Sequence, residues 1–178
     1  LLVNDLRDFH PEMVIARGQV IAQEGSWTVE PGTFDYPEWA VNSVNFKREI
    51  KPEDFKLIVQ GNKSQVTAHV IGILENQAPT RHLEFDMKPE AGGIKVDLKR
   101  DIAKAAILER HKGGGAVSLG LVNGFGFTRN CAVASTVVHD CHQMVVVGTE
   151  DACMAEAANA LARSGGGLRE VVYRQADG

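Results

Sequence analysis

The chain of 178 residues is 44% hydrophobic and 24% charged, with 23 acidic against 19 basic side chains and a formal net charge of -4. This is ordinary globular composition, enough for one domain or two small ones, and acids and bases interleave, so no basic face draws in a nucleic-acid polymer. The three cysteines, Cys131, Cys141 and Cys153, form no Cys-x-x-Cys pair, which argues against a disulfide framework or a zinc knuckle and for reduced thiols in a cytoplasmic protein. No apolar run approaches the roughly 18 residues that span a bilayer, and no signal-peptide pattern opens the chain, so no membrane is expected as a partner.

The chain opens on Leu1-Leu2-Val3-Asn4-Asp5, strand-like from its first residue and without an initiator methionine, and so reads as a piece of a longer polypeptide. Residues 12 to 24 hold two apolar runs about Arg17-Gly18-Gln19, the pattern of a β-hairpin, which Gly25 closes. The aperiodic stretch 31 to 39 is a connection that packs down through Phe34, Tyr36 and Trp39. A domain boundary is expected between residues 28 and 45.

From Lys51 the pattern is α+β. Pro52-Glu53-Asp54-Phe55 reads as one helical turn, followed by strands at 56 to 60, 65 to 74 and 80 to 87, the middle one apolar on both faces and therefore interior to its sheet. Ile102, Ala105, Ala106 and Leu108 recur as a helical stripe, and Asp101 complements a helix N-terminus, so a helix is predicted over 101 to 110. Strands are expected at 116 to 122, 131 to 138 and 144 to 147. Thr149 is placed to cap a final helix, Gly165-Gly166-Gly167 to end it, and 168 to 173 to form a last strand.

Four stretches carry chemistry. His139-Asp140-Cys141-His142-Gln143 sets two imidazoles, a carboxylate and a thiol in four consecutive positions between strand-like runs. It reads as a tight polar turn, as a base or substrate ligand, or as a metal site. His139 and His142 beside Cys141 favour a reactive thiolate there. Gly124-Phe125-Gly126 with Arg129 lets backbone amides approach an anion, yet lacks a P-loop lysine and reads better as a tight turn. Arg81-His82 and Glu109-Arg110-His111 pair a charged group with an imidazole, as surface ion pairs do and as proton-transfer sites do.

Several of these pieces, in this order, resemble one family. The hairpin Val14 to Gly25 resembles the closing strands of the small β-sandwich that flanks the barrel of amidohydrolases. Gly124-Phe125-Gly126-Phe127-Thr128-Arg129, Ala132 to Gln143, Val145-Val146-Val147-Gly148-Thr149 and Gly165-Gly166-Gly167 resemble the C-terminal domain of bacterial adenine deaminases. Arg81-His82-Leu83 and Glu109-Arg110-His111 stand where that family carries similar motifs. The family's turn usually reads His-Asp-Ser-His-Asn, and this chain departs from it with Cys141 and Gln143.

The resemblance implies an α+β fold: the closing strands of a β-sandwich over 1 to 30, a connection over 31 to 50, and a mixed-sheet C-terminal domain with helices packed on it over 51 to 178. It implies an enzyme that hydrolyses adenine to hypoxanthine and ammonia in purine salvage, as a homo-oligomer, with manganese or iron in a TIM barrel of the same polypeptide. The six histidines, 10, 69, 82, 111, 139 and 142, include no His-x-His pair. The metal ligands are therefore expected outside this chain, and the isolated piece is expected to be inactive. His139, Asp140 and His142 are expected on a lid or substrate-facing loop over the barrel, with Arg81, His82, Glu109 and His111 as substrate-binding candidates. The alternatives are a non-catalytic oligomerisation domain and a small metal-binding module built from His111, His139, His142 and Asp140.

Overall fold

A computed structural model describes residues 1 to 173. Two compact units divide between Pro37 and Glu38.

The first unit is an antiparallel meander of strands β1 (Leu2–Val3), β2 (Pro11–Ala16), β3 (Gln19–Gln23) and β4 (Ser26–Trp27), paired in chain order. The expected hairpin is there. Arg17 and Gly18 take φ of 50° and 78°, the two left-handed residues of a type I′ turn, whose twist matches that of the strands. Glu24 and Gly25 repeat the arrangement between β3 and β4, with φ of 49° and 76°. None of these residues is fully buried, so the meander makes no core of its own.

The second unit opens with a short helix α1 (Glu38–Val41) and a single 3-10 turn at Pro52–Phe55. Strands follow as β5 (Leu57–Ile58), β6 (Val66–Gly72), β7 (Arg81–Met87), β8 (Gly93–Ile94), β9 (Ile102–Leu108), β10 (Val117–Asn123), β11 (Cys131–Ser135) and β12 (Met144–Gly148). Helix α2 (Asp151–Arg163) and strand β13 (Leu168–Val172) complete it. Seven strands form one mixed sheet in the order β13-β11-β12-β9-β10-β6-β7, antiparallel except where β10 runs parallel to β6. Strands β5 and β8 make a separate ribbon.

One face of the large sheet carries the core. Helix α2 lays Cys153, Met154, Ala157, Ala158 and Leu161 on Ala106, Leu108, Ala132, Ala134, Met144 and Val146, with Ile50 and Phe55 closing the side. Farther along that face, Leu57 and Ile94 of the ribbon pack with Val70, Met87, Ile102 and Leu121. Gly148 is what lets the helix approach so closely, because a Cβ there would lie 2.6 Å from Met154 Cγ and 2.8 Å from Ala132 Cβ. Asn159 fastens the preceding segment to α2: its Oδ1 accepts from Ile50 N at 3.0 Å and its Nδ2 donates to Ile50 O at 2.7 Å. The opposite face holds only the small cluster Ala103, Val122 and Val147, with Ala105, Phe127 and Val145 beside it.

The expected helix over 101 to 110 is instead β9, in the middle of the sheet. Its backbone is paired on both edges, to β10 and to β12, and that pairing overrides the helical preference of its alanines. Thr149 does not cap α2. The N-cap is Glu150, while the Thr149 hydroxyl donates to Arg129 O at 2.9 Å and accepts from Cys131 N at 3.0 Å, tying β12 to the start of β11. Strand β11 stops at Ser135, whose Oγ accepts from Val137 N at 3.0 Å and turns the chain. No helix among the described residues is long and apolar enough to cross a membrane.

Candidate functional site

The stretch 139 to 143 forms the connection between β11 and β12, and the first residue after Glu109 holds it in place. Arg110 stands just beyond the end of β9 and is 7% exposed. Its Nε donates to His142 O at 2.9 Å, its Nη1 to Ser43 O at 2.8 Å and Ser43 Oγ at 2.6 Å, and its backbone N–H to Gln143 Oε1 at 3.1 Å. Burial draws the guanidinium below its ordinary value, although arginine stays charged throughout the working range. His111 adds a second clamp, with Nε2 donating to the same His142 carbonyl at 2.6 Å, which leaves the Nε2–H form in place.

His142 meets these donors because its backbone is left-handed, φ 54°, while its N–H donates back to Val138 O at 2.8 Å. His142 thus serves the loop through its main chain. The side chains of His139 and Asp140 stand out from it, 94% and 88% exposed, with Nε2 and Oδ1 3.4 Å apart. Such a solvated pair contributes little to stability, so the two groups remain free to donate to or accept from whatever is brought against the loop. Cys141 is exposed beside them, whereas Cys131 and Cys153 are buried.

Glu109 is occupied differently. Its carboxylate accepts from the backbone N–H groups of His111 and Lys112, each at 2.7 Å, and of Gly114 at 3.0 Å. These bonds, that from Lys112 foremost, hold it below the usual carboxylate range. A hollow of about 630 Å³ lies alongside, lined by Trp39, Asn42, Ser43, Asn45, Arg110 and His111.

Arg81 and His82 belong to a different part of the sheet. Arg81 pairs with Gly72, Gly72 with Asn123, and Asn123 with Ile102, whereas Glu109 to His111 lie past Leu108, at the other end of β9. Six residues of strand separate the two ends, roughly 20 Å. The four substrate-binding candidates therefore form two groups.

His82 has neighbours that the sequence reading did not single out. His69 lies opposite Glu84 in the β6–β7 ladder. His69 Nδ1 stands 2.8 Å from His82 Nε2 and 3.6 Å from Glu84 Oε1. Alternation put His82 and Glu84 on one face of their strand and His69 on one face of its own, and only the pairing register brings the two together. Among the described residues, His69, His82 and Glu84 are the group of three His, Cys, Asp or Glu side chains whose donor atoms converge as metal ligands would. His111, His139, His142 and Asp140 do not converge in this way, because the loop spreads its side chains outward; the small module expected from those four is not formed.

The Gly124-Phe125-Gly126 stretch is a close-packed connection. Gly124, at φ 104°, brings its backbone against Ile73, whose Cβ would lie 3.2 Å from an added Cβ. Gly126 N donates to Asp101 Oδ1 at 2.9 Å, so that amide faces a carboxylate of the chain itself.

Residues 77 to 176 match the family described as the adenine deaminase C-terminal domain. The chain belongs to that family. It is 44% identical over 168 residues to the adenine deaminase of Roseobacter denitrificans, 42% over 177 to that of Paracoccus denitrificans and 39% over 170 to that of Clostridium botulinum. These similarities take in 94%, 99% and 94% of this chain and 28%, 29% and 28% of those relatives. The chain thus spans under a third of the length of the curated relatives it matches. Within the adenine deaminase C-terminal domain fall β7, β9, the Arg110 clamp and the whole 139 to 143 loop.

Proposed function

We propose that this chain is the C-terminal part of an adenine deaminase, a cytoplasmic homo-oligomeric enzyme of purine salvage in which water displaces ammonia from adenine to leave hypoxanthine. The divalent ion of that reaction, manganese or iron, is held in a TIM barrel elsewhere in the polypeptide and activates the attacking water. No residue of this chain ligates it. The part that falls to this chain is to present His139 and Asp140, with His142 as the turn behind them, toward the barrel mouth as a lid that orients the purine or passes protons at its edge. The observation that carries this reading is the Arg110 clamp: a buried guanidinium and an imidazole fix the main chain of a loop whose own imidazole and carboxylate are left exposed. Glu109 and His111 are then positioning residues, and Arg81 and His82 stand apart from the lid.

The test is kinetic and uses the full-length enzyme. His139→Ala and Asp140→Asn are expected to lower kcat or raise KM for adenine while leaving thermal stability unchanged, because both side chains are exposed. Unchanged kcat and unchanged KM in both variants would defeat the lid. The 178-residue chain alone, supplied with manganese or iron, is expected to leave adenine intact.

A second reading, an oligomerisation domain, draws on the open face of the large sheet. Ile71, Ile107, Leu168 and Val172 are 49%, 43%, 70% and 39% exposed, more apolar side chain than a solvated face needs. Under that reading Ile107→Lys changes the oligomer mass, and the 139 to 143 variants leave kinetics unaltered.

A further inference from the structure

We propose that His69, His82 and Glu84 form a binding site for a first-row divalent transition ion of the zinc class on the β6–β7 hairpin. The geometry comes from the ladder. His69 and Glu84 are directly opposed, and His82, opposed to Ile71, is the diagonal neighbour on the same face. Two strands paired over seven positions hold all three Cβ atoms in place, so little ordering is left for an ion to impose.

Two of the three donor separations are close to the spacing of a coordination polyhedron. With metal–nitrogen bonds of about 2.0 to 2.1 Å, two ligands of one ion lie about 3.0 to 3.4 Å apart. The observed separations are 2.8 Å between His69 Nδ1 and His82 Nε2 and 3.6 Å between His69 Nδ1 and Glu84 Oε1. All three lie within 4.8 Å of one another. Rotation of the exposed Glu84 side chain closes the set around an ion.

The imidazole rings lie nearly parallel, 27° between planes and 4.9 Å between centroids, and bring one nitrogen of each to within 2.8 Å. Without an ion, one of those nitrogens must carry the proton that the other accepts. Zinc replaces that proton, and the two lone pairs together with the Glu84 carboxylate supply three ligands of a tetrahedral set. Two imidazoles and one carboxylate suit zinc, nickel, cobalt and copper better than magnesium or calcium. Neighbouring Asp86 is not a fourth ligand, because its Oδ1 accepts from Thr67 Oγ1 at 3.1 Å. The remaining position faces solvent, since the side chains of His69 and Glu84 are 69% and 58% exposed. It is open to water or to a donor from another molecule.

The experiment counts ions in the full-length protein after equilibration with zinc and removal of free metal, comparing wild type with His69→Ala, His82→Gln and Glu84→Gln. Each variant is expected to hold one zinc fewer per chain than wild type. Copper loaded in place of zinc is expected to show nitrogen hyperfine structure that His82→Gln simplifies. All three side chains are exposed, so the variants fold, and unchanged adenine turnover in His69→Ala and Glu84→Gln separates this ion from any that serves catalysis. Equal zinc content in wild type and all three variants overturns the proposal.

Discussion

Arg110 Nε and the carbonyl of His142 are 2.9 Å apart, and that bond joins the end of β9 to a turn 32 residues farther along the chain. The guanidinium is buried, so its own N–H groups depend on these partners. Arg110→Ala leaves the Ser43 carbonyl short of a donor and His142 O with the His111 bond alone, and a loss of about 1 to 3 kcal/mol in urea unfolding is expected. Arg110→Lys recovers little of it, since one ammonium cannot reproduce the planar fork that serves both carbonyls. Hydrogen exchange should rise first at the amides of 138 to 143. A variant with wild-type stability and protection there would show that the clamp does not hold the loop.

Glu109 gives that corner a pH signature. Its folded-state value is depressed by the amides of Lys112, Gly114 and His111, so its contribution is fully present above the unfolded value of about 4.3. That contribution disappears as pH falls through the lower folded value, because the unfolded chain takes up the proton first. Asp54, held down by Arg48, and Asp97, held down by Arg100, act in the same direction. The stability gap between wild type and Glu109→Gln is expected to be constant from pH 7 to about 5 and to close below about 4. A gap that widens with acid would contradict the hydrogen-bond pattern.

The parts of this fold that local chemistry decides were legible from sequence. Arg17-Gly18 between two apolar runs fixed the hairpin, and the alternation in Val66 to Gly72 marked an interior strand. Met154 to Leu161 showed the helix. Strand β9 was not legible, because Ile102, Ala105, Ala106 and Leu108 satisfy a helical stripe and only pairing with β10 and β12 overrides it. The candidate site divides in the same way. Valine runs on both sides of His139 to Gln143 showed a turn between strands, but nothing local shows that Arg110 reaches His142, nor that His69 faces His82 across a ladder whose register is set by the sheet.

The ion pair between Lys104 and Asp151 should respond asymmetrically to mutation. Lys104, on β9, is 7% exposed, and Asp151, in the first turn of α2, is 22% exposed. Asp151→Ala strands a buried ammonium beside a helix N-terminus, an unfavourable place for a cation, and is expected to cost about 3 kcal/mol or more. Lys104→Met fills the same volume with apolar atoms and leaves Asp151 near solvent at the end of the dipole that favours it, so a change within about 1 kcal/mol is expected. Equal losses in the two variants would mean that the pair itself, rather than the stranded charge, dominates.

Two glycines, on the strands that flank β9, test the two faces of the sheet. Gly148→Ala drives a methyl group into Met154 Cγ at 2.6 Å, Ala132 Cβ at 2.8 Å and Cys131 O at 3.0 Å. Two of those atoms belong to β11, whose backbone is paired on both edges, so relief requires α2 to lift from the sheet. Overpacking of this kind costs about 1 to 3 kcal/mol. An added Cβ at Gly120 meets nothing within 4 Å, on the face that no helix covers. Gly120→Ala is therefore expected to hold or slightly raise the melting temperature, since alanine narrows the unfolded ensemble. If Gly120→Ala instead destabilises the full-length protein as much as Gly148→Ala does, that face is packed against another part of the molecule or another subunit, and the same pair of variants measured on the 178-residue chain would show the difference.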